Sequence, residues 1–331
     1  MLQLSIIIPM YNVASYVRKC IASVLNQDLP YEQYEIIVVN DGSTDNGMEV
    51  LREMLRTDSC LQKMKDLGHW TVVMQENQGL SGARNTGIPL AKGKFIQFID
   101  SDDYLEPNVL GSLLEQMERD DLDVLRYNYQ NVNEQYEIFV PCKNPKQFVS
   151  YSEEVCDGRT FLEERLGYAC YACQFVLKKE LLNSQEDCFT PGILFEDIDW
   201  TPRILLKASR AASTQLIVLN YLIRVGSITL SLTKEKKDKI LRDKLSIIEK
   251  LAKWGQENGM NWHFEMLTRM ALSLLHDPVY SLEEKQTVIA RLRDMRQFPL
   301  TTRKLALLKK IRVCLMNLSP KLYCRWMTKS R

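Results

Sequence analysis

Short apolar runs alternate with helix-period stretches from the start of the chain to about residue 130. The runs are rich in Ile and Val and apolar at both alternating positions, as in strands covered on both faces. They are Leu4–Ile8, Glu35–Val39, Thr71–Met74, Phe95–Ile99 and Asp123–Tyr127. Apolar residues recur at the helix period in Tyr16–Asn26, and Ser81 is placed to cap a helix that reaches Leu90. This alternation predicts an α/β fold with a mostly parallel sheet and helices on both faces.

The periodicity weakens between about Tyr129 and Thr190 and changes character again near residue 230. The intervening segments predict a helix at Glu196–Lys207 and a strand at Gln215–Val225. Beyond Thr233 the predicted helices are Lys234–Gly255, Trp262–His276, Leu282–Arg293 and Thr302–Asn317. We therefore expect one α/β domain over residues 1–230, followed by a helical region over 231–331.

The composition is that of a globular protein, with 45% apolar and 26% charged residues, and the net charge of +1 argues against a polyanion-binding molecule. The nine cysteines are scattered, and the close pair Cys170 and Cys173 lacks two further zinc ligands at suitable spacing. Buried free thiols in a reducing compartment are expected instead. The apolar N-terminal run lacks signal-peptide features, and no run is long enough to span a membrane, so a cytoplasmic location is predicted.

Polar clusters follow four of the predicted strands, at residues 9–12, 40–45, 76–85 and 100–103. Ligands of parallel sheets bind beyond the carboxyl ends of the strands, so the four clusters predict a single site. Asp100, Asp102 and Asp103 would repel one another without a counter-charge, and a hard divalent cation is the natural one. A solvated acidic turn is the alternative, but the very apolar run just before these residues favours Mn²⁺ or Mg²⁺.

Four segments together resemble the inverting family 2 glycosyltransferases with the GT-A fold, in the order of that family. They are residues 5–12 (SIIIPMYN), 39–45 (VNDGSTD), 79–85 (GLSGARN) and 98–103 (FIDSDD). The resemblance continues more loosely to about residue 232. It implies a GT-A fold (nucleotide-diphospho-sugar transferase fold) with a mostly parallel, Rossmann-like sheet. The nucleotide-binding half would be residues 1–110 and the acceptor half residues 111–230.

The resemblance also implies a set of roles on the donor side. Asp102 and Asp100 would be the metal ligands, and Asp100 would also contact the ribose or sugar end of the donor. Tyr11 would stack on the base, and Asp41 would accept a hydrogen bond from the uracil N–H. Arg84 would donate to phosphate or base oxygens. The pocket would also be lined by Pro9, Asn12 and Ser101.

On the acceptor side, the segment 196–200 (EDIDW) resembles the family's acidic motif. Asp197 would then be the catalytic base that takes a proton from the acceptor hydroxyl, with Glu196 beside it. Spacing alone leaves Asp199 open as the base. Arg224 and Ser227 would close over the diphosphate as donors, although a plain edge strand and turn is the alternative for that segment.

Residues 301–331 contain no Asp or Glu but nine Lys or Arg, together with an apolar stripe and aromatic residues. A basic amphipathic segment of this kind is typical of a helix lying on an anionic membrane surface. It would place the protein on the inner face of the membrane. A helix packed on the catalytic domain with a solvated basic face is the alternative. The segment lacks a recognition motif for nucleic acid, so no nucleic-acid partner is expected.

The resemblance predicts sugar transfer from a UDP-sugar to a glycan or lipid-linked glycan, by metal-assisted in-line displacement in surface polysaccharide synthesis. The alternatives are a sugar-nucleotide pyrophosphorylase and a non-catalytic nucleotide-sugar-binding protein. A sugar-nucleotide pyrophosphorylase would carry a Gly-rich, Arg-containing N-terminal loop where this chain has residues 9–12 (PMYN). A non-catalytic nucleotide-sugar-binding protein would be expected to have lost Asp102 or Asp197, and both are present.

Overall fold

The computed structural model describes residues 2–138, 151–167, 170–224, 233–303, 305 and 307–329. The chain divides into two units, Met1–Ser227 and Ile228–Arg331. The division lies close to residue 230, where the sequence pattern changes. Ser227 itself is outside the described residues.

The first unit contains one eight-stranded sheet with helices packed around it. The strands are β1 (Leu4–Met10), β2 (Tyr34–Asp41), β3 (Trp70–Gln75), β4 (Phe95–Phe98), β5 (Tyr104–Leu105), β6 (Val124–Val132), β7 (Phe175–Lys178) and β8 (Ala211–Leu222). Its helices are α1 (Val17–Leu25), α2 (Gly47–Thr57), α3 (Ser59–Asp66), α4 (Gly79–Gly87), α5 (Leu110–Arg119), α6 (Gly158–Thr160) and α7 (Glu196–Lys207).

The sheet is parallel in one half and mixed in the other, with strand order β3-β2-β1-β4-β7-β6-β8-β5. Strands β3, β2, β1 and β4 are parallel neighbours, as the sequence predicted. Strand β7 is antiparallel to both β4 and β6, and β5 is antiparallel to β8, whereas β6 and β8 are parallel. The sequence predicted a mostly parallel sheet, and the structure has a mixed one. The reason is that β7, from the region of weak periodicity, lies between β4 and β6 and runs in the opposite direction.

Helices cover both faces of β1, which is buried along its whole length. Leu4, Ile6 and Ile8 share a core cluster with the apolar face of α1. The intervening Ile7 points to the other face, where α4 packs so closely that a Cβ on Gly87 would lie 2.4 Å from Ile7 Cγ2. The strand is therefore apolar at every position because both of its faces are covered.

The second unit is helical in its described residues, as the sequence predicted. Its helices are α8 (Lys234–Glu257), α9 (Trp262–His276), α10 (Leu282–Asp294), α11 (Leu307–Leu318) and α12 (Pro320–Lys329). The last predicted helix starts later than expected, and α12 was not predicted. None of the helices in the described part of the chain is long and apolar enough to cross a membrane.

The eight cysteines that the structure describes are free thiols. Four of them are buried, including the pair Cys170 and Cys173, but Cys314 is exposed. The expectation of buried free thiols is therefore wrong for Cys314, which lies on an exposed turn of α11 where nothing covers it.

Candidate functional site

The loops after β1 and β2 are joined by Asn12. Its backbone lies in the left-handed region (φ 51°), which Asn tolerates better than most residues. Its side-chain oxygen accepts hydrogen bonds from the backbone N–H groups of Thr44 (2.8 Å) and Asp45 (3.3 Å). Tyr11, just before it, is 49% exposed and leaves its ring open to a ligand. Pro9 is buried inside β1, so it supports this loop from within the sheet.

Asp41 ends β2 and is buried at the start of α4. Its carboxylate accepts hydrogen bonds from Gln75 Nε2 (2.7 Å) and from the backbone N–H groups of Gln78 and Gly79 (both 2.8 Å). A negative charge at a helix N-terminus is favoured by the helix dipole. Helix α4 therefore starts at Gly79. The side chain of Asp41 binds the backbone at this end of the helix, whereas the sequence predicted a cap from Ser81.

Three carboxylates lie in one corner after β4, the acidic corner Asp100–Asp103. Asp102 accepts one hydrogen bond of 2.9 Å from Arg224 Nε and forms an ion pair with its Nη2 at 2.9 Å; Arg224 joins the corner from beyond β8. Asp103 is buried and accepts from the backbone N–H of Leu222 through Oδ1, while its Oδ2 has no partner among the described residues. Burial raises the pKa of both acids, and the neighbouring carboxylates raise each pKa further. Ser101, between Asp100 and Asp102 in the chain, is also buried.

The acidic corner has the chemistry of a site for a hard divalent cation. One ligand atom each from Asp100, Asp103 and Cys173 lies within 4.8 Å of the other two. Burial raises the pKa of the Cys173 thiol well above its ordinary value, so it remains protonated and the carboxylates are the ligands of choice. The unpartnered oxygen of Asp103 and the mutual repulsion of the acids fit a cation here. Asp103 thus lies beside Asp100 in this cluster, whereas Asp102, the other expected ligand, is not part of it and pairs with Arg224.

A buried guanidinium connects this corner to α7. The side chain of Arg84 is 1% exposed, and it pairs with Asp100 (2.9 Å), Glu196 (2.8 Å) and Asp197 (2.9 Å). Burial alone would lower the pKa of Arg84, but these three carboxylates outweigh it and raise that pKa. The sequence assigned these donors to phosphate or base oxygens. In the structure both terminal nitrogens bind protein carboxylates, and Nε has no partner among the described residues, so the contact with the donor stays a prediction.

Asp197 stands apart from the other acids of α7. Burial raises the pKa of Asp197 to about 7; Arg84 opposes the shift, and the charges of Glu196 and Asp100 add to it. Its pKa therefore matches the task of a general base near neutral pH. Asp199, the alternative base, is buried and bonded to Thr190 (2.7 Å) and Arg203 (3.5 Å). These contacts give it a role in supporting the helix.

The sequence analysis did not find an aromatic patch beside Asp197. The rings of Tyr171 and Tyr221 each lie 6.2 Å from the ring of Tyr129, between ring centroids. Tyr171 is 46% exposed, and Asp197 is among the groups whose charge raises the pKa of its phenol. The three tyrosines come from distant parts of the chain. Only the close spacing of aromatic residues around Cys170 offered a local signal.

Comparison with known proteins shows which family the chain resembles. Residues 5–183 match the family model described as Glycosyl transferase family 2. Glycosyltransferase GlyA of Streptococcus pneumoniae serotype 4 is 31% identical over 233 residues, which are 69% of this chain and 31% of that relative. The chain thus spans about a third of the length of this relative.

Two solved structures share the fold. S. aureus TarS 1–349 in complex with UDP-GlcNAc is 22% identical, with a TM-score of 0.70, over 99% of this chain and 91% of that one. The second is a mannosyltransferase from Pyrobaculum calidifontis in complex with GDP-Man and Mn²⁺. It is 17% identical, with a TM-score of 0.52, over 98% of this chain and 83% of that one. The GT-A fold with a helical C-terminal region, expected from the sequence, is thereby confirmed.

Proposed function

The chain belongs to glycosyltransferase family 2, and on that premise we propose that it transfers a sugar from a UDP-sugar to a glycan or lipid-linked glycan, with inversion at the anomeric carbon. It would act in surface polysaccharide synthesis, at the cytoplasmic face of the membrane. One observation carries the proposal. The guanidinium of Arg84 binds Asp100 on the donor side and Asp197 on the acceptor side. The proposed metal site and the proposed base would thus be joined through one side chain.

On the donor side, the open ring of Tyr11 would stack on the nucleotide base. Asp100 and Asp102 would hold Mn²⁺ or Mg²⁺, which when bound would neutralise the charge of the departing diphosphate. Arg224, now paired with Asp102, would donate to the diphosphate oxygens from the same place. The complexes of TarS with UDP-GlcNAc and of the mannosyltransferase with Mn²⁺ support this choice of donor and ion.

On the acceptor side, a carboxylate oxygen of Asp197 would take the proton of the acceptor hydroxyl as that oxygen attacks the anomeric carbon. Arg84 would fix the orientation of this carboxylate, and Glu196 would share the same guanidinium. The exposed ring of Tyr171 would contact the acceptor sugar. The attack and the departure of the diphosphate would then occur on opposite sides of the sugar.

The proposal is tested by incubating the protein with UDP-, GDP- and dTDP-sugars and Mn²⁺ or Mg²⁺, while the release of nucleoside diphosphate is followed. We expect metal-dependent UDP release, which a glycan acceptor accelerates. Synthesis of UTP from pyrophosphate and a UDP-sugar would identify a pyrophosphorylase instead. Binding of UDP-sugar with no release, with or without acceptor, would identify a non-catalytic binding protein.

A further inference from the structure

A cationic cavity lies in the second unit, far along the chain from the residues assigned to sugar transfer. Its volume is about 320 Å³, and it is formed between α9 and α11. Its lining residues are Arg269, Leu272, Ser273, His276, Lys309 and Arg312. Three of these side chains carry a positive charge, and none is a carboxylate.

The basic groups of this cavity act on one another. Burial lowers the pKa of Lys309, and the charges of Arg269 and Arg312 lower it further. Burial likewise lowers the pKa of His276 to about 4, with Arg312, Lys285 and Lys309 adding to the effect. The nearby Asp277 is bonded to Lys237 at 2.6 Å. An anion in the cavity would therefore relieve the repulsion among its cations.

Helix α11 also exposes a row of large apolar side chains next to the cavity, the apolar stripe. Their exposed fractions are Leu307 72%, Leu308 74%, Ile311 48%, Leu315 50% and Leu318 83%. At about 100° per residue these positions share one side of the helix; Arg312 lies next to that side, about 40° beyond Leu308, and Lys309 lies further round, towards Val313 and Met316. The opposite side carries Val313 and Met316, which are fully buried and hold α11 in the second unit.

We propose that the cavity between α9 and α11 binds the phosphate group of an anionic membrane lipid, with the apolar stripe of α11 resting among the lipid chains. Arg269, Lys309 and Arg312 would donate to the phosphate oxygens, because guanidinium and ammonium groups form charge-assisted hydrogen bonds with phosphate. A soluble phosphate would neutralise the cations of the cavity but would leave the apolar stripe in water. A lipid would neutralise the cations and also cover the stripe. It would give the membrane contact predicted from the sequence for residues 301–331 a defined site.

The experiment is flotation of the full-length protein with vesicles of phosphatidylcholine alone and of phosphatidylcholine mixed with phosphatidylglycerol. The cavity variant Lys309→Gln/Arg312→Gln is compared with a matched control, Lys310→Gln/Lys321→Gln, which removes the same charge from α11 and α12 outside the cavity. General attraction to the surface contributes roughly fivefold in binding per basic residue and would weaken both variants equally. We expect binding to the mixed vesicles to fall at least tenfold further in the cavity variant.

Further variants separate a lipid site from its rivals. Lys309→Arg/Arg312→Lys keeps both charges and should retain binding, which would show that loss in the cavity variant is not misfolding. Leu308→Ser/Ile311→Ser should weaken vesicle binding without changing binding of inorganic phosphate measured by calorimetry. Equal losses in the cavity and control variants would overturn the proposal. It would also be overturned if inorganic phosphate bound the protein while the mixed vesicles did not.

Discussion

Arg84 donates a hydrogen bond of 2.9 Å to Asp197, although 113 residues separate the two in the chain. The same nitrogen bonds Glu196, and the other terminal nitrogen bonds Asp100. A buried guanidinium thus counterbalances three acids, and burial raises the pKa of two of them, Glu196 and Asp197. The pairing stabilises the fold and orients the carboxylate that we propose as the base.

Replacing Asp197 should separate donor binding from transfer. Asp197→Asn removes the proton acceptor but keeps the shape, so kcat should fall about 10²- to 10⁴-fold while UDP binding measured by calorimetry is unchanged. Asp199→Asn is the matched control; because Asp199 bonds Thr190 and Arg203, it should lower Tm while kcat is largely retained. Normal transfer by Asp197→Asn would rule out this residue as the base.

The transfer rate should depend on pH through the same group. Burial raises the pKa of Asp197 to about 7, and only the deprotonated carboxylate accepts a proton. Activity should therefore be full above this pKa and fall about tenfold per pH unit well below it. A pH profile of kcat/KM at saturating metal measures this. A profile that stays flat down to pH 5 would contradict the assignment.

Metal and donor binding should be lost together on changing the acidic corner. Asp102→Asn removes a ligand charge next to Arg224, so calorimetry should show weaker binding of both Mn²⁺ and UDP-sugar. Asp66→Asn makes the same change at an exposed position of α3 and should leave both affinities unaltered. Chelation of the metal should abolish transfer by the wild type. If Asp102→Asn weakened neither affinity, Asp102 would not be a metal ligand.

Replacing Arg84 should lower the free energy of unfolding more than replacing a surface arginine. Arg84→Met leaves three acids in a buried place without their cation, which should lower the free energy of unfolding by about 3–5 kcal/mol. Arg18→Met breaks an exposed pair with Glu53 and should cost about 1 kcal/mol or less. Denaturant unfolding of both variants gives the comparison. Similar losses would mean that the Arg84 cluster contributes no more than a surface pair.

The stability of the second unit should depend on pH through His276. The pKa of His276 is lowered from 6.5 to about 4, so between these values the unfolded chain binds a proton that the folded chain does not. Stability should therefore fall as pH drops from about 6.5 towards 4 and not change through this group above that range. In His276→Gln the unfolding midpoint should vary less with pH across this range. An unchanged slope in the variant would assign the dependence to other groups.

The sequence alone determined the parallel half of the sheet and predicted the sheet edge at which the site would lie. The continuous apolar runs of β1, β2 and β4 predicted buried strands because side chains on both faces must be covered. The polar clusters after them predicted a common edge, and the structure brings Asn12 together with Thr44 and Asp45 there. The start of α7 at Glu196 was also predicted from its pattern. These features depend on neighbours in the chain, so local periodicity is enough to find them.

Only the tertiary structure decided which distant groups meet. Nothing near Arg84 in the chain indicates that its side chain binds acids of α7. Likewise, nothing near Asp41 in the chain indicates that its carboxylate accepts hydrogen bonds from Gln75 and Gly79. The reversed entry of β7 and the cavity between α9 and α11 are likewise hidden from local patterns. The physical reason is that a side chain's partner is chosen by the packing of whole elements. That packing brings together residues whose separation along the chain carries no periodic signal.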